Sequence, residues 1–164
     1  MPPSSVPIAP GQSGRSDELH ENKCRRCGVS CHVAVPLLGR TIVVPGLHCQ
    51  FLQQQPDGKF DCSVYADRFT RAPWCHHADL AAPLGYLADD CPYGVQPGLG
   101  KTLLPQAQFD RVWPRLLRTL LQWGVPSLVA QAPLLAELQR REGGSWALEP
   151  WPGDPERFKI VKSL

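Results

Sequence analysis

Cys24-Arg25-Arg26-Cys27-Gly28-Val29-Ser30-Cys31-His32 decides how this chain is read. Two thiols separated by two residues turn back onto one ion, because a tight turn brings both sulfurs to the same side. A third thiol four residues on extends the same knuckle. Thiolates at such spacing are soft ligands for zinc or for iron–sulfur clusters. Single cysteines follow at 49, 62, 75 and 91, and the chain beyond Cys91 has none. The expectation is a module organised by metal, with Cys24, Cys27, Cys31, Cys49, Cys62, Cys75 and Cys91 as ligands. Seven thiols exceed one tetrahedral site and fall one short of two. His32, His48, His76 and His77 are the candidates for the missing ligand, since imidazole serves zinc well. Lys23, Arg25 and Arg26 surround the knuckle, where positive charge lowers thiol pKa values.

Composition narrows the class. A chain of 164 residues suffices for one domain with a modest core. Its 18 prolines and 14 glycines predict many turns and much irregular structure. A loop-rich domain buries little surface, so cross-links or metal would help it hold one conformation. The formal charge of +2 argues against a dedicated nucleic-acid surface, which shows a concentrated basic face. Disulfides are the competing account of the cysteines, and they need an oxidising compartment. The start Met1-Pro2-Pro3-Ser4-Ser5-Val6-Pro7 has neither the basic nor the apolar region of a secretory signal. No run approaches the roughly 18 apolar residues of a membrane span. An odd cysteine count would also leave one thiol unpaired. A cytoplasmic protein with reduced thiols and no membrane segment is expected.

Three regions follow along the chain. Residues 1–20 read as a disordered leader, residues 21–100 as the cysteine-cluster metal-binding module, and residues 101–164 as a helical C-terminal region with an extended tail. Arg40-Thr41-Ile42-Val43-Val44-Pro45 is the best strand, closed by Pro45-Gly46. Pro56-Asp57-Gly58-Lys59 reads as a turn or hairpin loop, and residues 79–88 as a short helix. Phe109, Val112, Trp113, Leu116, Leu117, Leu120 and Leu121 recur at helical spacing. Asp110 as N-cap would put Pro114 in the first turn, and Gly124 and Pro126 would stop the helix. A second helix is expected from Pro133 to Arg141, with Glu137 and Arg141 paired four apart. The tail from Ser145 reads as an extended strap. The predicted fold is small, irregular and mainly α with short β pieces, α+β being the alternative, with the cysteine module backed by C-terminal helices.

Other motifs carry less. Pro97-Gly98-Leu99-Gly100-Lys101-Thr102 has Val95 where a phosphate loop needs its first glycine, and no apolar strand precedes it. No Gly-x-Ser-x-Gly elbow, His-Glu-x-x-His helix or dinucleotide fingerprint is present. Asp89-Asp90 beside Cys91 reads as a charged turn.

The ordered cysteines resemble the bacterial cysteine-cluster family with a CxxCxxCC-type motif, the YkgJ-like zinc- or iron-chelating proteins. The family opening aligns with Cys24, Cys27, Gly28, Ser30 and Cys31, so Ser30 stands where the family has a cysteine. Cys49-Gln50-Phe51-Leu52 resembles a later Cys-x-x-Leu step. Cys62-Ser63-Val64-Tyr65-Ala66-Asp67-Arg68 resembles Cys-x-hydrophobic-Tyr-x-x-Arg, with Cys75 beyond it. Leu87-Ala88-Asp89-Asp90-Cys91-Pro92-Tyr93 resembles the closing cysteine of the YcgN-like branch. The likeness covers roughly residues 24–94 and implies metal chelation. Tyr65 and Arg68 are then expected beside the ligands, Tyr65 with its ring in the small core and Arg68 donating to carbonyls or sulfurs.

Three functions fit these readings. The first is a structural or accessory module in which zinc or an iron–sulfur cluster staples the fold and presents a surface to a protein partner. The second is an iron–sulfur enzyme or accessory subunit in redox or protein-modification chemistry; the likeness reaches a flagellin lysine methylase group. The third is a metal chaperone or store. Cys75-His76-His77 is a weak nucleophile-and-base pattern, since sequence neighbours rarely point at each other, and the catalytic residues of such an enzyme are left open.

Overall fold

The computed structural model describes residues 24–94, 96 and 98–163. The leader read at residues 1–20 lies outside them, as do Lys23, Val95 and Pro97.

Strands are as abundant as helices: 32% of the chain is helical and 33% is strand, in three small antiparallel sheets. The mainly α expectation is therefore wrong, and the fold is mixed with substantial β. The glycines explain the error. Gly39, Gly58 and Gly153 adopt positive φ and turn three hairpins, so a composition suggestive of irregular loops instead serves tight reversals between strands.

β1 (His32–Leu37) pairs with β2 (Arg40–His48) across Leu38-Gly39, both at positive φ, as a two-residue hairpin loop requires. The β-branched run Thr41 to Val44 lies in β2 as expected, but the strand continues past Pro45 to His48. Gly46 permits this: a Cβ there would lie 2.8 Å from the Pro133 carbonyl oxygen. β3 (Leu52–Gln54) and β4 (Phe60–Cys62) form the second hairpin, its loop held by Lys59 N–H donating to Asp57 Oδ1. Two single-turn helices follow, α1 (Arg68–Arg71) and α2 (Ala78–Ala81).

The long helix α3 (Gln106–Trp123) buries Phe109, Trp113, Leu116 and Leu120 of the expected stripe, with Val112 and Leu117 partly buried and Leu121 exposed. It begins one turn earlier than predicted, behind Pro105, so Asp110 is no cap and Pro114 lies inside the helix. Gly124 ends it, and β5 (Val125–Pro126) follows. α4 (Gln131–Glu142) then packs Leu134 and Leu138. The tail is no strap. β6 (Ser145–Trp151) and β7 (Asp154–Ser163) form a hairpin, and β5 joins on the far side of β7. Phe158 and Ile160 alternate inward toward the core from β7, as Trp146 and Leu148 do from β6.

The main core draws Val35, Ile42, Val44 and Leu47 from the first hairpin onto α3, α4 and β7. Val43, pointing the other way from β2, packs with Val29 and Ala88 in a smaller cluster under the cysteines. Arg141 locks α3 to α4: its side chain is 7% exposed, bonds Glu137 at 2.6 Å and Asp110 at 2.7 Å, and lies over the Phe109 and Trp113 rings. The expected Glu137–Arg141 pair is thus present. Among the described residues, no helix is long and apolar enough to cross a membrane.

Candidate metal centre

The first knuckle is shaped by its own backbone. Arg26 and Gly28 both hold positive φ, and the Arg26 N–H donates to Cys24 Sγ at 3.4 Å. A turn whose amide points back at the first sulfur stabilises negative charge on it. The knuckle is then docked from two sides. Toward β4, Phe60 N–H donates to the Arg26 carbonyl at 2.9 Å, and the Arg26 guanidinium pairs with Asp61 at 2.6 Å. Toward the closing cysteine, Arg25 grips Asp90 through both carboxylate oxygens and also donates to the Asp90 carbonyl. That fork sets Cys24 and Cys27 beside Cys91. Burial pushes the Cys91 thiol up, the Cys27 and Cys24 thiols add to the rise, and Arg25 opposes it.

The other four cysteines are linked by contacts of the backbone and of their neighbours. Cys49 N–H donates to the Cys31 carbonyl at 2.8 Å, which joins these two residues through the main chain. Leu52 N–H returns to the Cys49 carbonyl, and Leu52 is the register partner of Cys62. Cys75 is brought in by ring stacking of Trp74 on Phe51, centroids 6.2 Å apart. Burial pushes the Cys31 thiol up to about 11, against the nearby Ser30 hydroxyl, with Cys49, Cys75 and Cys62 acting in the same direction as burial. Cys75 is raised by burial too, Arg68 opposing and Cys62 and Cys49 adding to the rise.

All seven cysteines are free. Among the described residues, no three or more His, Cys, Asp or Glu side chains converge tightly enough, as they stand, to hold an ion. The chemistry of the donors nevertheless fits a soft cation. Cys31 and Cys75 feel the Cys49 and Cys62 thiols and Cys91 feels those of Cys24 and Cys27, and the buried thiols favour the neutral form. A bound cation supplies the charge that would ionise them.

The four candidate histidines divide. His32 and His48 are buried, with ring centroids 5.1 Å apart and Phe60 at the edge of both. Each Nδ1 donates to a carbonyl, His32 to Gly28 at 2.8 Å and His48 to Cys49 at 3.0 Å. A carbonyl only accepts, so Nδ1 carries a proton in both rings. Burial foremost lowers the His32 pKa to about 4, which keeps the ring neutral. His76 and His77 are instead exposed, His76 stacked on Tyr86 and His77 tilted against Phe69.

Tyr65 does not enter the small core: it is half exposed. Arg68 lies 4.0 Å over its ring and donates to the Tyr65 carbonyl at 2.7 Å, while its charge acts on Cys75.

Lys101 is the residue that sequence reasoning missed. Its ammonium donates to the carbonyls of His32 at 2.6 Å, Ser30 at 3.0 Å and Val29 at 3.4 Å. It therefore clamps the short 3-10 turn Val29–Cys31 that ends the knuckle. Burial lowers its pKa to about 8, and proximity to the Cys31 thiol opposes that fall. The only sequence signal at Lys101 is the broken phosphate-loop pattern, which points to different chemistry. Asp90 was visible only as part of a charged turn.

Comparison with protein-family models, curated proteins and solved structures found no match.

Proposed function

We propose that this protein binds metal through its cysteine cluster, as zinc or as an iron–sulfur cluster, and works as a structural or accessory module for a protein partner. The observation that supports it most is that all seven cysteines are free, with Cys31 within electrostatic reach of Cys49, Cys62 and Cys75, and Cys91 within reach of Cys24 and Cys27. The likeness to the YkgJ-like cysteine-cluster proteins agrees with it. Cys31, Cys49, Cys62 and Cys75 would hold one ion or cluster edge, with Cys24, Cys27 and Cys91 at the other. Bound zinc neutralises thiolates and converts binding energy into folding energy. The chain's own contribution is orientation: Lys101 fixes the turn that carries Cys31, and Arg25 fixes Cys24 and Cys27 against Cys91. The free thiols suit a reducing cytoplasm. Among the described residues no thiol is hydrogen-bonded to a histidine ring or a carboxylate, which favours a binding role over catalysis.

Anaerobic purification with elemental analysis and a visible spectrum tests the reading. Colourless protein with zinc supports the structural module. Brown protein with iron and acid-labile sulfide moves the role toward redox chemistry. Protein free of both metals, with its thiols oxidised pairwise, refutes metal binding.

A further inference from the structure

We infer that a segment of the leader, Val6-Pro7-Ile8-Ala9-Pro10, docks on its own chain in the apolar groove between β1 and the C-terminal end of α3. The groove holds about 400 Å³ and is walled by Val33, Val35 and Pro36 of β1, Leu47 of β2, and Leu120 and Trp123 of α3. Polar side-chain groups on its wall are few. The Thr119 hydroxyl already donates to the Arg115 carbonyl at 3.1 Å. Trp123 is 59% exposed. Its indole N–H has no acceptor among the described residues, whereas those of Trp113 and Trp146 are bonded to Glu142 and to the Gly143 carbonyl. The groove therefore suits an occupant that brings apolar side chains, an accepting carbonyl and few N–H groups.

The leader carries such a segment. Val6-Pro7-Ile8-Ala9-Pro10 is the longest apolar run before Cys24, and two of its five residues have no N–H. Pro7 and Pro10 are three apart, so in a polyproline helix, with about three residues per turn, both fall on one ridge. Ridges of this kind lie against exposed aromatic rings in peptide grooves. A carbonyl preceding proline then accepts from the Trp123 indole. Reach is not limiting. Residues 11–23 join Pro10 to Cys24, and these thirteen residues span roughly 45 Å when extended, more than the roughly 40 Å width of a domain this size. Such a tether holds its end at an effective concentration near the millimolar range, which favours the chain's own segment over a second copy. Docking is independent of whether the thiols hold metal.

Photocrosslinking in the full-length reduced protein provides the test, with p-benzoylphenylalanine in place of Ile8. Irradiation should attach the leader to residues 33–36 or 119–125 of the same chain, at a yield unchanged over an about tenfold range of protein concentration. Cross-links that join two chains would assign the groove to a second copy and overturn docking in cis. Cross-links found only elsewhere, or none, overturn it too. A second readout avoids the bulky probe. In nuclear magnetic resonance with isotope-labelled tryptophan, the Trp123 indole signal is identified by its absence in Trp123→Phe. Pro7→Ser combined with Ile8→Asp should move that signal upfield, toward a free indole, and leave those of Trp113 and Trp146 in place. A synthetic peptide of residues 1–13 added in excess should move it back. Both substitutions lie in the leader, outside the described residues, so unmoved Trp113 and Trp146 signals separate loss of docking from loss of folding. A Trp123 signal that is the same with and without the substitutions overturns the docking.

Discussion

Arg25 and Asp90, 65 residues apart in sequence, meet as a two-pronged fork with N–O distances of 2.8 and 3.0 Å. Both side chains are about half exposed or more, so the pair adds little to global stability. Its consequence is local, because each partner adjoins a cysteine. Arg25→Gln should leave the thermal midpoint almost unchanged while weakening metal retention roughly tenfold, the scale on which groups behind a ligand act. Competition with a chromophoric chelator measures this. Unchanged retention would make the fork a bystander.

Lys101→Met keeps the aliphatic stem and removes three donated hydrogen bonds from the turn at Val29–Cys31. Bonds from a charged donor contribute more than neutral ones, and the carbonyls left behind are partly buried. A loss of about 2 kcal/mol is expected, read as a lower urea midpoint at unchanged slope. The neutral variant should also hold metal less well, whereas Lys101→Arg should recover part of both.

Acid should destabilise the protein through His32. Its folded pKa of about 4 lies below the ordinary value of 6.5, so between those values the unfolded chain binds more protons. Stability from this group is complete above pH 6.5 and is lost as the pH falls toward 4. In thermal melts of the reduced protein, His32→Gln should show a shallower decline than wild type over that window. Parallel curves would mean that His32 does not titrate as its burial requires.

Glu137→Ala strips the Arg141 guanidinium of its shortest ion pair while leaving it wedged on Phe109 and Trp113. Asp110 still pairs with the guanidinium, so the loss is that of a charged hydrogen bond, about 2 kcal/mol. Replacing both residues, Glu137→Leu with Arg141→Met, should cost less than Glu137→Ala alone. Additive losses in chemical denaturation would argue against a coupled pair.

Local patterns were legible in the sequence, and distant pairings were not. The β-branched run Thr41 to Val44, the apolar stripe of α3, the stop at Gly124 and the Glu137–Arg141 pair all follow from neighbours within a few residues. β6 and β7 did not declare themselves, because Pro150 and Pro152 interrupt the run and the inward Trp146, Leu148, Phe158 and Ile160 are spaced by charged or small residues. Their alternation at every second residue was the available signal. β1 was hidden similarly by Pro36 and by its position directly after the knuckle. At the site, cysteine spacing marked the candidate ligands, but their setting depends on the Cys31–Cys49 bond, the Leu52–Cys62 register and the Arg25–Asp90 fork. None of these leaves a trace in spacing alone.

β2 has one further consequence. Ile42 and Val44 face the helices while Val43 faces the cluster beneath the cysteines, so one strand lines two compartments at once. Side chains alternate strictly along a strand, and deleting a single residue before Ile42 would exchange the linings of both. Neither compartment can be re-tailored by shifting the strand without spoiling the other. Through this shared register the cysteine half and the helical half are inherited as one piece, free to change residue by residue but not to slide.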